Sequence, residues 1–141
     1  MSQNPIALSS IAAEQMMQQS ETCYLVDIRS SMEFLFIGHP LGSIHIAWMD
    51  EPDWDINPNF VSEIRQLILG GANCISQEDC ARIILICRSG NRSEMAGKQL
   101  LEAGLTHIYH IEDGFEGDKD QHQHRSTLNG WRFNGLPWEQ C

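Results

Sequence analysis

The strongest chemical signal in the sequence is a cysteine that follows the most apolar segment of the chain. Residues 81–86 predict a buried strand, and Cys87 stands at its carboxyl end. Arg88 and Arg92 enclose a short polar stretch after it, and a helix is predicted from Ser93. In an open α/β sheet, ligands bind beyond the carboxyl ends of the strands. The pattern indicates a nucleophilic thiol in an anion-binding loop.

The residues between the two arginines suit a tightly curled loop. Ser89, Gly90 and Asn91 are residue types that tolerate tight turns. A curled loop turns its backbone N–H groups inward, and the helix start behind it adds unpaired N–H groups and partial positive charge. These features favour a thiolate, and Arg88 and Arg92 would attract an anionic substrate. An isolated cysteine is more often a buried, inert residue, but these neighbours favour function here.

Strands and helices alternate along the rest of the chain. Strands are predicted at residues 5–8, 22–28, 43–47, 81–86 and 106–111. Helices are predicted at residues 9–19, 31–37, 60–69 and 93–103, and an acidic loop at residues 50–58. Such alternation is typical of α/β proteins with a parallel sheet. We therefore expect one domain over residues 1–141, with a central parallel sheet of about five strands and helices on both faces.

Composition argues against several classes of partner. The chain has 141 residues and a formal net charge of -10, with nine Lys plus Arg against 19 Asp plus Glu. Because nucleic acids and anionic membranes are also negatively charged, neither is expected as a partner. No segment approaches the roughly 20 apolar residues of a membrane span. A small anionic substrate needs only a local positive site, which Arg88 and Arg92 would supply.

The remaining cysteines and histidines suggest no metal site. The five cysteines are Cys23, Cys74, Cys80, Cys87 and Cys141. Their odd number, without a CxxC pair or a secretory signal, favours free thiols in a reducing compartment and a cytoplasmic location. Cys23 falls in a predicted strand and is expected to be inert. His122 and His124 match no structural zinc spacing, so neither a metal nor another cofactor is predicted.

Four motifs along the chain resemble the single-domain rhodaneses, the thiosulfate sulfurtransferases. The loop from Cys87 to Ser93 is similar to the active-site loop of that family. An Asp-x-Arg at residues 27–29 and the Glu-Phe, Gly-His and Gly-Ser-Ile-His-Ile segments of residues 33–46 resemble its N-terminal signature. Residues 113–115, Asp-Gly-Phe, match its turn after the strand that follows the active-site helix. Residues 130–138 resemble its C-terminus.

The resemblance implies a rhodanese-like fold and a covalent mechanism. The Cys87 thiolate would attack the outer sulfur of thiosulfate and release sulfite, leaving a persulfide on Cys87. The substrate would be bound by Arg88, Ser89, Gly90, Asn91 and Arg92, whose N–H groups would stabilise the charged sulfur. The loop would be supported by Asp27, Arg29 and Ser93. A thiol, a protein or, in an assay, cyanide would accept the sulfur, and no cofactor is required.

Two other functions are compatible with the same residues. The first is that of a phosphatase or arsenate reductase, which would use the same thiolate. Phosphatases place five residues between the cysteine and the arginine, whereas four separate Cys87 from Arg92. The smaller loop suits one sulfur atom better than a tetrahedral phosphate. The second is that of a non-catalytic module that binds or relays sulfur.

Overall fold

The structure is a computed structural model that describes residues 4–19, 22–70 and 81–141. Its strands are β1 (Ile6–Leu8), β2 (Cys23–Asp27), β3 (His39–Pro40), β4 (Ile44–His45), β5 (Arg82–Ile86), β6 (Ile108–Ile111) and β7 (Trp138–Glu139). Its α-helices are α1 (Ser10–Gln19), α2 (Phe60–Gly70) and α3 (Asn91–Glu102), and Glu33–Ile37 forms a short π-helical segment. No helix within these ranges is long and apolar enough to cross a membrane.

Five strands form one parallel sheet in the order β1-β6-β5-β2-β4. The strand that precedes Cys87, β5, lies at its centre, and its residues Ile83 to Ile86 are fully buried. A strand covered on both faces has no solvated side, which explains its continuous apolar sequence. The predicted parallel sheet is confirmed.

Helices cover both faces of the sheet, as predicted. Alternate residues of β2 and β5 pack on one side against the helices α2 and α3. The other residues of these strands pack on α1 and on the C-terminal segment through Ala13, Phe115 and Trp131. Successive side chains of a strand point to opposite faces, so each strand contributes to both clusters.

Some element boundaries differ from the predicted ones. The helix α3 begins at Asn91, two residues before the predicted start, because Gly90 takes a φ of +105° and the helix follows it directly. Residues 33–37 form a π-helical segment within the predicted helix. The antiparallel pair of β3 and β7 was not predicted, since each has two residues and exists only through contact with the other.

Candidate active site

The side chain of Cys87 lies at the start of α3, directly beyond the central strand. Only 1% of the residue is exposed. Its sulfur accepts hydrogen bonds from the backbone N–H groups of Gly90, at 3.1 Å, and Ser93, at 3.3 Å. Both donors belong to the first turn of the helix or precede it, where N–H groups have no partner within the helix. Together they stabilise negative charge on the sulfur.

Other N–H groups of the same loop have no partner among the described residues. Those of Arg88, Ser89, Asn91 and Arg92 donate to no atom of the described residues. Asn91 is exposed and Ser89 is half-buried, so a small anion can approach the loop from its open side. The loop therefore combines two donors that hold the cysteine sulfur with others that are unoccupied.

Two glycines allow backbone to pack directly on this loop. Gly90 has a φ of +105°, and a Cβ there would lie 2.3 Å from the carbonyl oxygen of Glu112. Gly114 has a φ of +67°, and a Cβ there would lie 2.4 Å from the carbonyl oxygen of Arg88. Side chains are excluded at both positions by conformation and by space.

The turn after β6 forms backbone hydrogen bonds with the loop that begins at Cys87. The N–H of Phe115 donates to the carbonyl of Cys87 at 2.8 Å, and the N–H of Glu116 donates to that of Arg88 at 3.0 Å. The carboxylate of Asp113 accepts hydrogen bonds from the N–H and hydroxyl of Ser10, both at 3.0 Å, at the start of α1. The Asp-Gly-Phe motif thus joins the loop to the opposite face of the sheet.

Arg92 forms a two-pronged ion pair with Glu33. Its Nη1 and Nη2 lie 2.8 Å and 2.9 Å from the two carboxylate oxygens. The side chains are 18% and 15% exposed. Burial raises the pKa of Glu33, but the hydrogen bonds and charge of Arg92 outweigh it, so the net pKa is lowered. One N–H of each terminal nitrogen of Arg92 is therefore engaged, and the ion pair joins the loop to the π-helical segment.

A cavity of about 460 Å³ opens in front of the loop. Its lining combines charged and apolar side chains: Glu33, Ile37, Met49, Trp54, Arg88, Arg92, Glu116 and Arg125. Arg88 is exposed and forms no salt bridge with any described residue. Its charge is free to meet a ligand, and the volume lies within the roughly 300–1,000 Å³ of small-molecule pockets.

Asp27 and Arg29 form a buried ion pair at the end of the neighbouring strand β2. Nε and Nη2 of Arg29 lie 2.9 Å and 2.6 Å from the carboxylate oxygens, and both side chains are 0% exposed. The guanidinium also donates to the carbonyl of Gly38 and stacks over the ring of Phe115 at 4.5 Å. The pair contacts neighbours of the loop but forms no hydrogen bond with residues 88–92. Its support is therefore indirect.

Ser93 is fully buried, and its hydroxyl contacts a histidine that the sequence analysis did not identify. The hydroxyl oxygen lies 3.5 Å from the Cys87 sulfur and 3.0 Å from Nδ1 of His110. His110 belongs to β6 and is 4% exposed. Burial lowers its pKa, and the charges of Glu94 and Glu112 oppose that effect. No local motif marks this histidine, because strand pairing brings it to the loop from 17 residues away.

Cys23 is the first residue of β2, at the end of the sheet opposite Cys87. Burial raises the pKa of the Cys23 thiol to about 11, against the charge of Arg82, so this thiol is inert as a nucleophile. In the ranges that the structure describes, no group of three His, Cys, Asp or Glu side chains could hold a metal ion. Cys74 and Cys80 lie outside those ranges.

A family model and several similar proteins were found for this chain. The sequence model of the family described as "Rhodanese-like domain" matches residues 10–121. The crystal structure of Rv0390 from M. tuberculosis aligns with a TM-score of 0.80 and 33% identity, covering 99% of this chain and 100% of its own. An uncharacterized protein of Rickettsia rickettsii is 28% identical over 135 residues, which are 94% of this chain and 95% of its own. "Thiosulfate sulfurtransferase 16, chloroplastic" of Arabidopsis thaliana is 30% identical over 114 residues, or 79% and 76% of the two chains.

Proposed function

The chain belongs to the rhodanese-like domain family, and on that premise we propose that it is a sulfurtransferase that carries sulfane sulfur as a persulfide on Cys87. One observation carries the proposal. The Cys87 sulfur accepts two N–H hydrogen bonds at a helix start, with unoccupied N–H groups around it and a cationic cavity in front. The proposed donor is thiosulfate or a related small anion. The proposed acceptor is a thiol, a protein or, in an assay, cyanide.

In the first half-reaction, the Cys87 thiolate attacks the outer sulfur of thiosulfate. A sulfur–sulfur bond forms at Cys87 as the sulfur–sulfur bond of thiosulfate breaks, and its electron pair leaves with sulfite. The new terminal sulfur lies about 2 Å from the cysteine sulfur. The N–H groups of the loop that have no partner would stabilise its negative charge, as an oxyanion hole stabilises oxygen.

In the second half-reaction, the acceptor attacks the terminal sulfur. Its lone pair forms the new bond, and the Cys87 thiolate leaves with the electron pair of the persulfide bond. The N–H groups of Gly90 and Ser93 then stabilise the thiolate again. The same two N–H groups therefore stabilise the cysteine sulfur before the first step and after the second, and a thiol acceptor releases its proton to water.

Arg88 and Arg92, two of the three arginines that line the cavity, have different proposed roles. Arg88 is exposed and free of salt bridges among the described residues, so it steers the anionic end of the donor. Arg92 is held by Glu33, so its part is to brace the loop. This pairing also disfavours phosphatase chemistry, in which an arginine at this position must offer its fork of donors to the phosphate.

Intact-mass measurement of the reduced protein after incubation with thiosulfate tests the proposal. We expect a gain of about 32 Da, one sulfur atom, that cyanide removes, because the nucleophile forms a covalent intermediate. Cys87→Ser should gain nothing. Cys141→Ser, which changes an exposed cysteine, is the matched control and should behave as the wild type.

Other results would contradict parts of the proposal. An unmodified wild-type protein would reject thiosulfate as the donor. Hydrolysis of an aryl phosphate that depends on Cys87 would favour the phosphatase alternative instead. A cellular role that survives Cys87→Ser would mean that the domain acts by binding.

A further inference from the structure

We propose that His110 is a positioning residue that orients the hydroxyl of Ser93. In this orientation the hydroxyl proton of Ser93 can be donated to the Cys87 sulfur whenever that sulfur is negatively charged. The inference deepens the proposed function and rests on it, since it concerns the sulfur that would carry the transferred atom. It adds a third donor to the two N–H groups already described.

The three side chains form a buried row at the end of the sheet. Oγ of Ser93 lies 3.0 Å from Nδ1 of His110 and 3.5 Å from Sγ of Cys87. The exposed fractions are 0% for Ser93, 4% for His110 and 1% for Cys87. Because water has little access, these polar atoms must satisfy one another.

The Ser93 hydroxyl has one proton and three neighbours that compete for it. Besides the sulfur and the imidazole, the carbonyl oxygen of Gly90 lies 3.1 Å from Oγ and can only accept. A hydroxyl has one donor and two acceptor positions. If Nδ1 of His110 bears no proton, it takes the hydroxyl proton and leaves none for the sulfur. If Nδ1 bears a proton, it donates to Oγ, and the hydroxyl proton stays available.

The surroundings favour a neutral imidazole with its proton on Nδ1. Burial lowers the pKa of His110, and the carboxylates of Glu94 on α3 and Glu112 after β6 oppose it. The residues beside it in the sheet, Leu85 of β5 and Ala7 of β1, do not titrate.

Counting hydrogen bonds selects between the two neutral forms. With the proton on Nδ1, two bonds form, from Nδ1 to Ser93 and from Ser93 to the Gly90 carbonyl. With the proton on Nε2, only the bond from Ser93 to Nδ1 forms among the described residues. Because an additional hydrogen bond between buried groups is favourable on balance, the Nδ1 form is preferred.

The hydroxyl can then follow the charge on the sulfur. When Cys87 is a thiolate, the Ser93 hydroxyl turns from the Gly90 carbonyl to the sulfur and joins the two N–H donors. When the sulfur is in a persulfide bond, the hydroxyl turns back. No covalent bond changes at Ser93 or His110, and the thiol proton itself leaves to water. Through Ser93, His110 therefore helps to stabilise the negatively charged Cys87 sulfur in both half-reactions, and it does not contact the substrate.

Site-resolved alkylation of Cys87 by iodoacetamide, followed by mass spectrometry from about pH 5 to about pH 9, tests the inference because only the thiolate reacts. The readout is the pH of half-maximal rate. Replacing His110→Leu should raise it by about one unit, the size expected for weakening a charge-assisted hydrogen bond. In His110→Asn the pH of half-maximal rate should stay near the wild-type value, because the amide nitrogen of the asparagine can donate to Ser93 in place of Nδ1. Tyr109→Phe, on the other face of β6, is the matched control and should change nothing.

The double variant shows whether His110 acts through Ser93. Ser93→Ala should raise the half-maximal pH at least as much as His110→Leu, and the two changes together should raise it no further. Additive shifts, an unchanged pH profile in His110→Leu, or an Asn variant as impaired as the Leu variant would each overturn the inference. Because alkylation needs no sulfur donor, its outcome is separate from that of the thiosulfate mass experiment.

Discussion

Replacing Gly114 by alanine should damage the site more than an equally strained substitution elsewhere, because this glycine packs on the backbone of the Cys87 loop. A Cβ at this position would lie 2.4 to 2.6 Å from three backbone atoms of Arg88 and Ser89. Ordinary contacts need about 3.4 Å or more, so the loop or the turn must move by about 1 Å. The positive φ adds a conformational cost.

The two costs can be estimated separately. An alanine at φ +67° loses about 1–2 kcal/mol of stability from conformation alone. Forcing backbone apart in a packed region adds about 1–3 kcal/mol. A displacement of about 1 Å at a reacting group can lower the rate by about 100-fold. We therefore expect a loss of about 2–5 kcal/mol in the free energy of unfolding and a large loss of Cys87 reactivity.

Gly42→Ala provides the matched control. Gly42 has a φ of +80°, and no atom lies within 4 Å of the Cβ it would gain. The Gly42→Ala variant should lose only the stability that an alanine at positive φ costs, about 1–2 kcal/mol, and it should keep its activity. Urea unfolding measures the first quantity, and the rate of sulfur transfer from thiosulfate to cyanide measures the second. Equal losses of activity in the two variants, or full activity in Gly114→Ala, would refute the packing explanation.

Two further substitutions test the roles of the charged residues. Glu33→Gln should lower the free energy of unfolding by about 1–2 kcal/mol at neutral pH, because it removes the negative charge from the half-buried ion pair with Arg92. The folded pKa of Glu33 is lowered from its usual 4.5, so its stabilisation is present above that pH and is lost as the pH falls through the folded value. Urea unfolding from neutral to acid pH should therefore show the difference between the variant and the wild type shrink. Arg88→Gln should raise the KM for thiosulfate by about tenfold with little change in stability, because it removes an exposed, unpaired cation at the cavity. Arg82→Gln, an exposed cation at the opposite end of β5, should leave the KM unchanged, and an equal rise in both would argue against steering by Arg88.

The part of the site that is continuous in sequence was predictable from its residue types. A buried strand, a glycine-containing turn and a helix start follow one another within residues 82–102. Their geometry depends on short-range rules, namely the apolar run, the tolerance of Gly90 for positive φ and the unpaired N–H groups at the helix start. The central position of β5 also followed from its continuous apolar character. The exact first residue of α3 did not, since helix boundaries depend on details of the turn.

The partners of the loop come from distant parts of the chain and could not be read from spacing. Glu33 lies 59 residues before Arg92, and Ser10 lies 103 residues before Asp113. Gly114 likewise meets Arg88, and His110 meets Ser93, only because β6 pairs with β5 in one register. Contacts of this kind are set by strand order, and several orders are compatible with the same alternation of strands and helices.

The sequence by itself therefore determined the class of fold, and it was enough to propose Cys87 as the nucleophile and its loop as the anion site, because each depends on neighbours along the chain. Only the tertiary structure distinguished the two cations: both line the cavity, but Arg92 is paired with Glu33, whereas Arg88 forms no salt bridge with any described residue. It alone also brought His110 to the Ser93 hydroxyl. The physical reason is that charge and hydrogen bonding depend on distance in space, and the parallel sheet places side by side residues that the sequence keeps far apart.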